Sequence, residues 1–482
     1  MLATRLSEDP NRSVLLLEAG NIYSGDDYPA DLKDAAHVPA DPEHEWGFTA
    51  RGGAASPRIE AARAKVLGGC STHNATVAMR ARPNDVRDWR SHGLDWSFQD
   101  VSATYKQIEN TPDGADADHG RTGPFPIRRR SYEELTSSLR GFVDAALAEG
   151  FGAVDDFNGP DPSGVGGYPV NVIDGVRQNV GIVYLTEEVR ERPNLTISGN
   201  ELVDRVLFDG RRATGVLTAS GAEIPAGEVI LSSGSYGSPA ILLRSGVGPG
   251  ADLSALGIDV VADLPVGQHL QDQPFYYNAY ALKRDALDMR PAVGALLWIA
   301  SGEARAGDLD IHLAVTHLMP PEYSPTGGAI ALSVAVVKPD SRGTVKLRSR
   351  DPGEQPEIDC NFLAEERDAR RMLEGVRLSR RIARNPALAR FLELEILPGD
   401  AVAEDQLAEA VASNLASYGH PVATAPVGAD GDASAVVDGG GAVRQLSGLR
   451  VIDASIMPVV PSVALNLTTI MIAERIAKAV YG

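Results

Sequence analysis

Short runs of consecutive apolar residues, each leading to an acidic residue or a glycine, recur along the chain. The run at 14–17 ends at Glu18, and the run at 229–231 leads through two serines to Gly234. A third short stretch, Leu449-Arg450-Val451-Ile452, is apolar except for Arg450 and ends at Asp453. Such runs are typical of short strands buried on both faces of a parallel sheet. The pattern therefore predicts an α/β fold.

Alternating and helical patterns between these runs predict antiparallel strands and helices. Residues 202–208 and 213–217 flank Asp209-Gly210, which favours a hairpin turn. Residues 237–246 predict a helix that ends in a glycine, and residues 468–480 predict the last helix. Several strands are predicted between 308 and 349, and two charged amphipathic helices between 363 and 397. The second half of the chain should therefore combine an antiparallel sheet with helices.

Glu18 is a candidate for binding the ribose of a dinucleotide. In dinucleotide-binding βαβ units, the second strand ends in an acidic residue that bonds the ribose hydroxyls. Such units begin with a strand and a G-x-G-x-x-G turn, and neither precedes the helical pattern at Leu2. We expect that the sequence begins at a late methionine, with truncation or a true loss of the turn as alternatives.

The stretch from Ala64 to Thr76 carries the second candidate site. Two adjacent glycines, Gly68 and Gly69, let the backbone approach a flat ligand closely, because neither has a Cβ atom. Four hydrogen-bonding side chains follow at residues 71–74. Taken alone, the stretch favours an ordinary Gly-Gly turn capped by serine and threonine, and the stretches described below favour the ligand site.

Length, charge and cysteine content narrow the class of protein. A chain of 482 residues is expected to form two domains. The formal net charge of −20 argues against binding nucleic acid or an anionic membrane surface through bulk charge. No apolar run reaches 18 residues, so no transmembrane helix is predicted. The two cysteines, Cys70 and Cys360, predict no disulfide framework and fit a cytoplasmic location.

Four stretches together resemble the glucose-methanol-choline (GMC) oxidoreductase family of flavoenzymes. Residues 65–74 resemble its first signature, and residues 234–248 match its second almost position by position. Residues 266–272 resemble its G-x-x-L-x-D stretch, and residues 448–458 its C-terminal FAD strand. The resemblance covers nearly the whole chain. Within the family, Gly-Gly-Cys-Ser-x-His-Asn is most similar to the choline oxidase type.

The resemblance implies a fold of two domains. A Rossmann-like FAD-binding domain, without its first strand and glycine turn, would comprise residues 1–130, 190–270 and 430–482. An α+β substrate-binding domain with an antiparallel sheet would comprise residues 131–189 and 271–429.

The resemblance also implies a reaction, the oxidation of an alcohol by hydride transfer to flavin N5. His420, in Tyr418-Gly419-His420-Pro421, matches the family's catalytic histidine and would act as the base. The family's second catalytic position, a histidine or asparagine, is Ala464 here, so this pair is broken. Asn466 matches a family asparagine that contacts the flavin. Ala423 replaces the usual glycine of the His-Pro segment.

The cofactor contacts implied by the resemblance are spread along the chain. His73 matches a histidine that choline oxidase joins covalently to the flavin, and a plain hydrogen-bonding role is the alternative. Cys70 is expected to be a small buried packing residue. No metal site is predicted. The expected FAD contacts are Glu18, Gly68, Gly69, His73, Asn74, Ala75, Val203 through its backbone, Gly234, Asp453, Ala454 and Asn466.

The expected partners are a small-molecule alcohol and an electron acceptor, either oxygen or another compound. Nucleic acid and membranes are not expected partners, and the oligomeric state is left open. Two alternatives remain at this point. One is a redox-neutral or light-driven family member, such as a hydroxynitrile lyase or a photodecarboxylase. The other is a non-catalytic remnant, which Ala464 and the missing glycine turn would favour.

Overall fold

A computed structural model describes all 482 residues, apart from the side chain of Asp26. Helices and strands alternate along the chain, as the α/β prediction requires. The α-helices are Leu2–Leu6, Ala30–Lys33, Pro83–Ser91, Phe98–Ile108, Ser137–Ala148, Val180–Val183, Glu187–Arg190, Gly234–Arg244, Gly250–Ala255, Glu366–Arg384, Pro386–Ala389, Leu407–Ala412 and Leu465–Tyr481.

One large antiparallel sheet organises the second half of the chain. Its central strand, Ala329–Val336, is buried along its whole length. The strands of this sheet are Gly164–Gly167, Pro274–Tyr276, Ala279–Leu282, Val293–Ile299, Ile311–Thr316, Ala329–Val336, Leu392–Leu397 and Leu415–Ser417. The sheet confirms the antiparallel strands expected between 308 and 349.

The helix Glu366–Arg384 packs directly on this sheet. A Cβ atom on Gly375 would lie 2.4 Å from Val334 Cγ1, so only glycine permits this close approach. Two helices were predicted between 363 and 397, and the prediction is wrong for the last six residues of this range. Residues 392–397 form a strand, because Leu392-Glu393-Leu394-Glu395-Ile396 alternates with the period of a strand. Pro386 and Pro398 bound the segment on either side.

Two parallel strand pairs form the nucleotide-binding side of the molecule. Val14–Leu17 pairs with Leu195–Ser198, and Val229–Leu231 pairs with Leu449–Val451. Each pair joins segments that are far apart in the sequence. The remaining strands are Val203–Asp209, Arg212–Thr218 and Glu223–Pro225 in one antiparallel sheet, the pair Thr344–Lys346 and Glu357–Asp359, and the two-residue strands Thr49–Ala50, Ile59–Glu60, Glu109–Asn110, Phe125–Pro126, Arg128–Arg129, Pro169–Val170, Val172–Ile173 and Val176–Arg177.

The carboxyl ends of the second parallel pair lie side by side, and functional residues follow them directly. Gly234 begins a helix after Val229–Leu231, and Asp453 follows Leu449–Val451. In open α/β sheets, ligands bind outside the carboxyl ends of the strands. The fold therefore brings Gly234 and Asp453 to the edge where a nucleotide cofactor is expected. Among the described helices, none is long and apolar enough to cross a membrane.

Candidate active site

His420 lies at the junction between the large sheet and the nucleotide-binding side. It follows the strand Leu415–Ser417, and its backbone N–H donates to Asp272 Oδ1 at 2.8 Å. Its ring nitrogen Nδ1 lies 2.7 Å from Gln273 Oε1. The adjacent Gly419 has φ +87°, a conformation that favours glycine. Backbone and ring are therefore both held in place.

The environment of His420 keeps its imidazole neutral. Burial, together with the nearby guanidinium of Arg63, lowers the pKa of His420 to about 3. A neutral imidazole keeps one nitrogen lone pair free at physiological pH. The ring is therefore unprotonated there, as a general base must be before it takes a proton, and the low pKa makes it a weaker base than a free histidine.

Aromatic rings enclose His420 on the side of the large sheet. The Tyr418 ring lies 4.7 Å from the His420 ring, centroid to centroid, and stacks on Phe275 at 4.6 Å. His312 contacts the same tyrosine at 6.1 Å and Trp298 at 5.1 Å. Trp298 is fully buried and donates to a backbone carbonyl, so it belongs to the core. These rings line one side of His420, which is itself only part-buried.

His312 is a functional candidate that sequence reasoning missed. Its side chain is 1% exposed, and neither ring nitrogen has a hydrogen-bond partner among the described residues. Burial, with His420 close by, lowers the pKa of His312 to about 3, so the ring is neutral and carries one N–H. Buried polar atoms without partners are uncommon in folded proteins. The unpartnered ring therefore points to a polar group of a ligand.

The Gly-Gly loop is held by local hydrogen bonds and has a left-handed backbone at Gly68. Gly68 has φ +104°, and a short 3₁₀ turn at Gly69–Thr72 follows it. Ser71 Oγ donates back to the Gly68 carbonyl at 2.7 Å, and Asn74 Oδ1 accepts from the Thr76 amide at 3.0 Å. No heavy atom lies within 4 Å of the position that a Cβ on Gly69 would occupy. The loop therefore leaves one backbone face open.

Arg177 holds this loop in place through hydrogen bonds to its backbone. This role was not predicted from the sequence. The side chain is fully buried and donates to the carbonyls of Asn74 at 3.0 Å and Thr72 at 2.6 Å. The same guanidinium donates to the carbonyls of Leu32 at 2.6 Å and His37 at 2.7 Å. One side chain thus ties the loop to the segment 32–37.

His73 lies between Glu45 and Cys70. Its Nδ1 forms a short hydrogen bond with Glu45 Oε1. Burial opposes a charge on His73, but Cys70 and Glu45 outweigh burial and raise the pKa of His73 to about 9. Burial would raise the pKa of Cys70, but His73 and Arg63 lower it to about 6. Each of the two groups therefore favours the charged form of the other.

Cys70 packs against the apolar cluster that contains Leu32 and Val66, as the expected small packing residue would. The side chain is only half-buried, and two positive side chains, His73 and Arg63, favour its thiolate. Sequence reasoning missed this because Arg63 lies seven residues earlier, and Glu45 still further away. Their proximity depends on the tertiary fold.

Asp453 holds the second βα turn in place. Its carboxylate accepts hydrogen bonds from the Gly234 amide at 2.8 Å, from Ser238 Oγ, and from the Ser455 amide and hydroxyl. Because protein donors occupy the carboxylate, a cofactor would meet the backbone at 453 and Ala454. Gly234 itself has φ +76° and open space where a Cβ would lie. The structure therefore brings these three predicted residues together.

Glu18 and Val203 lie near each other at the end of the first parallel pair. Glu18 Oε1 accepts from the Gly20 amide at 2.9 Å, and burial raises the pKa of Glu18. The Glu201 amide donates to the Glu18 carbonyl at 2.8 Å, two residues before the strand that begins at Val203. Gly20 touches the Lys65 carbonyl so closely that a Cβ would overlap it. These contacts connect the ribose candidate to the Gly-Gly loop.

Ala464 and Asn466 lie at the start of the C-terminal helix. Ala464 is its N-cap residue and has no side-chain hydrogen bond to offer. Asn466 Nδ2 is buried and has no partner among the described residues. Ala423, on the His420 segment, has φ +62°, a conformation that explains the glycine of the family pattern.

Gly69, Gly234 and Asn466 fit the flat isoalloxazine ring of a flavin. The open faces of Gly69 and Gly234 would admit a flat ring system, and the free amide of Asn466 would donate to its carbonyl oxygens. Ala75 is part-buried beside the same loop. The Gly-Gly loop, the second βα turn and the C-terminal helix thus each leave a backbone face or a side-chain group that protein atoms do not occupy.

Family models described as GMC oxidoreductase match residues 46–275 and 339–473 of the chain. The chain belongs to the GMC oxidoreductase family. It is 36% identical over 521 aligned positions to an oxygen-dependent choline dehydrogenase of Burkholderia lata, covering 100% of this chain and 91% of that protein. The same values hold for a protein of this name from Burkholderia cenocepacia.

Solved structures show the same fold. Pyridoxine 4-oxidase from Mesorbium loti superposes with a TM-score of 0.90 at 29% identity, covering 100% of this chain and 96% of that one. Formate oxidase from Aspergillus oryzae gives a TM-score of 0.86 at 23% identity, covering 99% and 95%. The GMC fold, with its Rossmann-like FAD-binding part, is thereby confirmed.

Membership of the GMC family identifies the class of reaction. The chain is an FAD-dependent oxidoreductase that acts on CH–OH donors. The comparisons do not favour the redox-neutral, light-driven or non-catalytic alternatives.

Proposed function

We propose that this GMC enzyme oxidises a small alcohol to an aldehyde or ketone, with His420 as the general base. The observation that carries the proposal is a neutral histidine, fixed through both backbone and ring, beside a cluster of aromatic rings. FAD supplies the hydride acceptor. His420 takes the hydroxyl proton as the hydride leaves, so that charge does not accumulate on the substrate oxygen.

The residues around His420 would divide the remaining tasks. His312, with its unpartnered ring, would hydrogen-bond a polar group of the substrate. Tyr418 and Phe275 would shield the reacting atoms from water, which strengthens the electrostatic interactions inside the site. Ala464 offers no hydrogen bond, so the substrate oxygen relies on His420 and on a group outside the family's usual pair.

FAD would span the contacts described above, from Glu18 and the backbone of Val203 at the nucleotide end to the Gly-Gly loop at the ring end. We assign residues 1–130, 190–270 and 430–482 to the FAD-binding domain. Residues 131–189 and 271–429, which supply the strands of the large sheet, form the substrate-binding domain. His420 lies where the two meet.

A panel of alcohols tests the proposal directly. The relatives are named for choline and pyridoxine, and both belong in the panel alongside simple primary and secondary alcohols. We expect at least one to bleach the flavin absorbance of the loaded protein under anaerobic conditions. Admission of oxygen or of an artificial acceptor should restore the colour, and the relative rates identify the acceptor. Absence of bleaching by the whole panel would contradict alcohol oxidation.

We further propose that His73 is joined covalently to the flavin. The protein precipitated with acid should then stay yellow, whereas His73→Ala should release its flavin into the supernatant. His37→Ala is the matched control, because His37 is more exposed and belongs to another segment. Complete release from the unmutated protein would exclude the bond, and the imidazole would then act through hydrogen bonds alone.

Ala464→Asn should speed the reduction of the flavin, because the amide restores a hydrogen bond to the substrate oxygen. A hydrogen bond to a charged or partly charged group contributes about 1.5–3 kcal/mol, or roughly tenfold or more in rate. Stopped-flow absorbance measures the change. Ala464→Val, which adds volume without a donor, is the control. If both variants are slower, Ala464 provides room for a bulkier substrate.

A further inference from the structure

The hydrogen bonds of Gln273 determine its orientation completely. The side chain is fully buried, and Nε2 donates to the carbonyls of Val337 and Pro461, each at 2.8 Å. An amide nitrogen carries two hydrogens, so these two bonds use its whole donor capacity. A flipped amide would direct its oxygen at two carbonyl oxygens, which repel it. Oε1 therefore faces His420.

This orientation decides which ring nitrogen of His420 carries the proton. Gln273 Oε1 can only accept a hydrogen bond, and it lies 2.7 Å from His420 Nδ1. Nδ1 must then be the protonated nitrogen, and Nε2 must hold the free lone pair. A general base needs that lone pair on the nitrogen that faces the substrate.

We propose that Gln273 is a positioning residue that fixes His420 in the Nδ1–H form and so keeps Nε2 available as the base. The inference rests on the proposed function of His420. The carbonyls of Val337 and Pro461 lie next to the large sheet and the C-terminal helix, so the fold on both sides of the site sets the orientation of the amide. Gln273 would act through His420 without touching the substrate.

Ring nitrogen NMR of ¹⁵N-histidine-labelled protein, loaded with flavin, tests the tautomer. The His420 signals are assigned by their loss in His420→Asn. We expect the unmutated protein to show a protonated Nδ1 and an unprotonated Nε2. In Gln273→Met, which keeps the length but removes the acceptor, a substantial fraction should shift to the Nε2–H form. An Nε2–H form in the unmutated protein, or an unchanged tautomer in Gln273→Met, would overturn the proposal.

Kinetics give a second readout. Flavin reduction in Gln273→Met should slow about ten- to hundredfold at unchanged flavin content, because a wrong tautomer removes the base; orienting groups elsewhere contribute this much or more. Gln268→Met, five residues before Gln273 in the chain and only part-buried, should change neither readout. If Gln273→Met does not fold, ring nitrogen NMR of the unmutated protein still tests whether Nδ1 of His420 carries the proton.

The outcomes separate this inference from the proposed function. If His420→Ala reduces its flavin at the normal rate, His420 is not the base, and the proposed function fails whatever the tautomer. If His420→Ala reduces its flavin slowly but Gln273→Met reduces it at the normal rate with an unchanged tautomer, only the proposed role of Gln273 is wrong.

Discussion

His420→Ala is expected to slow the anaerobic reduction of bound flavin by an alcohol at least about a hundredfold. A positioned acid–base group typically contributes about 10²–10⁴-fold to a proton transfer. His420 is the neutral histidine in the family's catalytic motif, and its backbone and ring are both fixed. The flavin content should not change, because the side chain is not among the proposed cofactor contacts. Stopped-flow absorbance of the flavin measures the rate.

His92→Ala provides the control, since His92 lies at the end of the helix Pro83–Ser91, away from the site. The pH dependence gives an independent check. Because the pKa of His420 is lowered to about 3, the ring stays unprotonated and competent between about pH 5 and 8. A reduction rate that falls as His420 becomes protonated in this range would contradict the neutral environment. An undiminished rate in His420→Ala would place the base elsewhere.

Arg177→Met should lower the free energy of unfolding by about 2–4 kcal/mol and reduce the flavin content of the purified protein. Methionine fills similar volume but leaves four backbone carbonyls without their donor. Burial lowers the pKa of Arg177 to about 10, which still leaves it charged at neutral pH. Urea unfolding and the ratio of flavin to protein absorbance measure the two effects.

Arg384→Met is the matched control, because Arg384 is exposed near the end of the helix Glu366–Arg384. Its stability should stay within about 0.5 kcal/mol of the unmutated protein. The free energy of unfolding of Arg177→Lys should lie between those of Arg177→Met and Arg384→Met. The lysine ammonium keeps the charge but cannot reach four carbonyls in one plane. Equal stability of Arg177→Met and Arg384→Met would mean that water replaces the guanidinium at no cost.

Local patterns predicted the elements that depend on neighbouring residues. The Asp209-Gly210 hairpin lies where the turn dipeptide placed it, between Val203–Asp209 and Arg212–Thr218. The apolar run before Glu18 forms a strand that is parallel to its partner. The strand at 392–397 was missed because charged residues on both sides resemble an amphipathic helix, although its own apolar positions alternate. Edge positions of a sheet tolerate such charges.

The candidate site was predictable only in part, for a physical reason. His420 and the Gly-Gly loop could be found because the chemistry and the backbone geometry belong to one short stretch. Arg177, Gln273 and His312 could not, since each acts on a partner that is between about 100 and 150 residues away in the chain. Only the three-dimensional arrangement shows that one arginine supports the loop and that one glutamine orients the base.

The bond between Asp453 and Gly234 has a consequence for the synthesis of the protein. Its two ends are 219 residues apart, so the turn at Gly234 leaves the ribosome long before the carboxylate that fixes it. At about 5–20 residues per second, the delay is roughly 10–45 s. The strand Val229–Leu231 likewise waits for Leu449–Val451. During this interval the nascent chain exposes an unpaired apolar strand, which is prone to aggregate and which chaperones would protect.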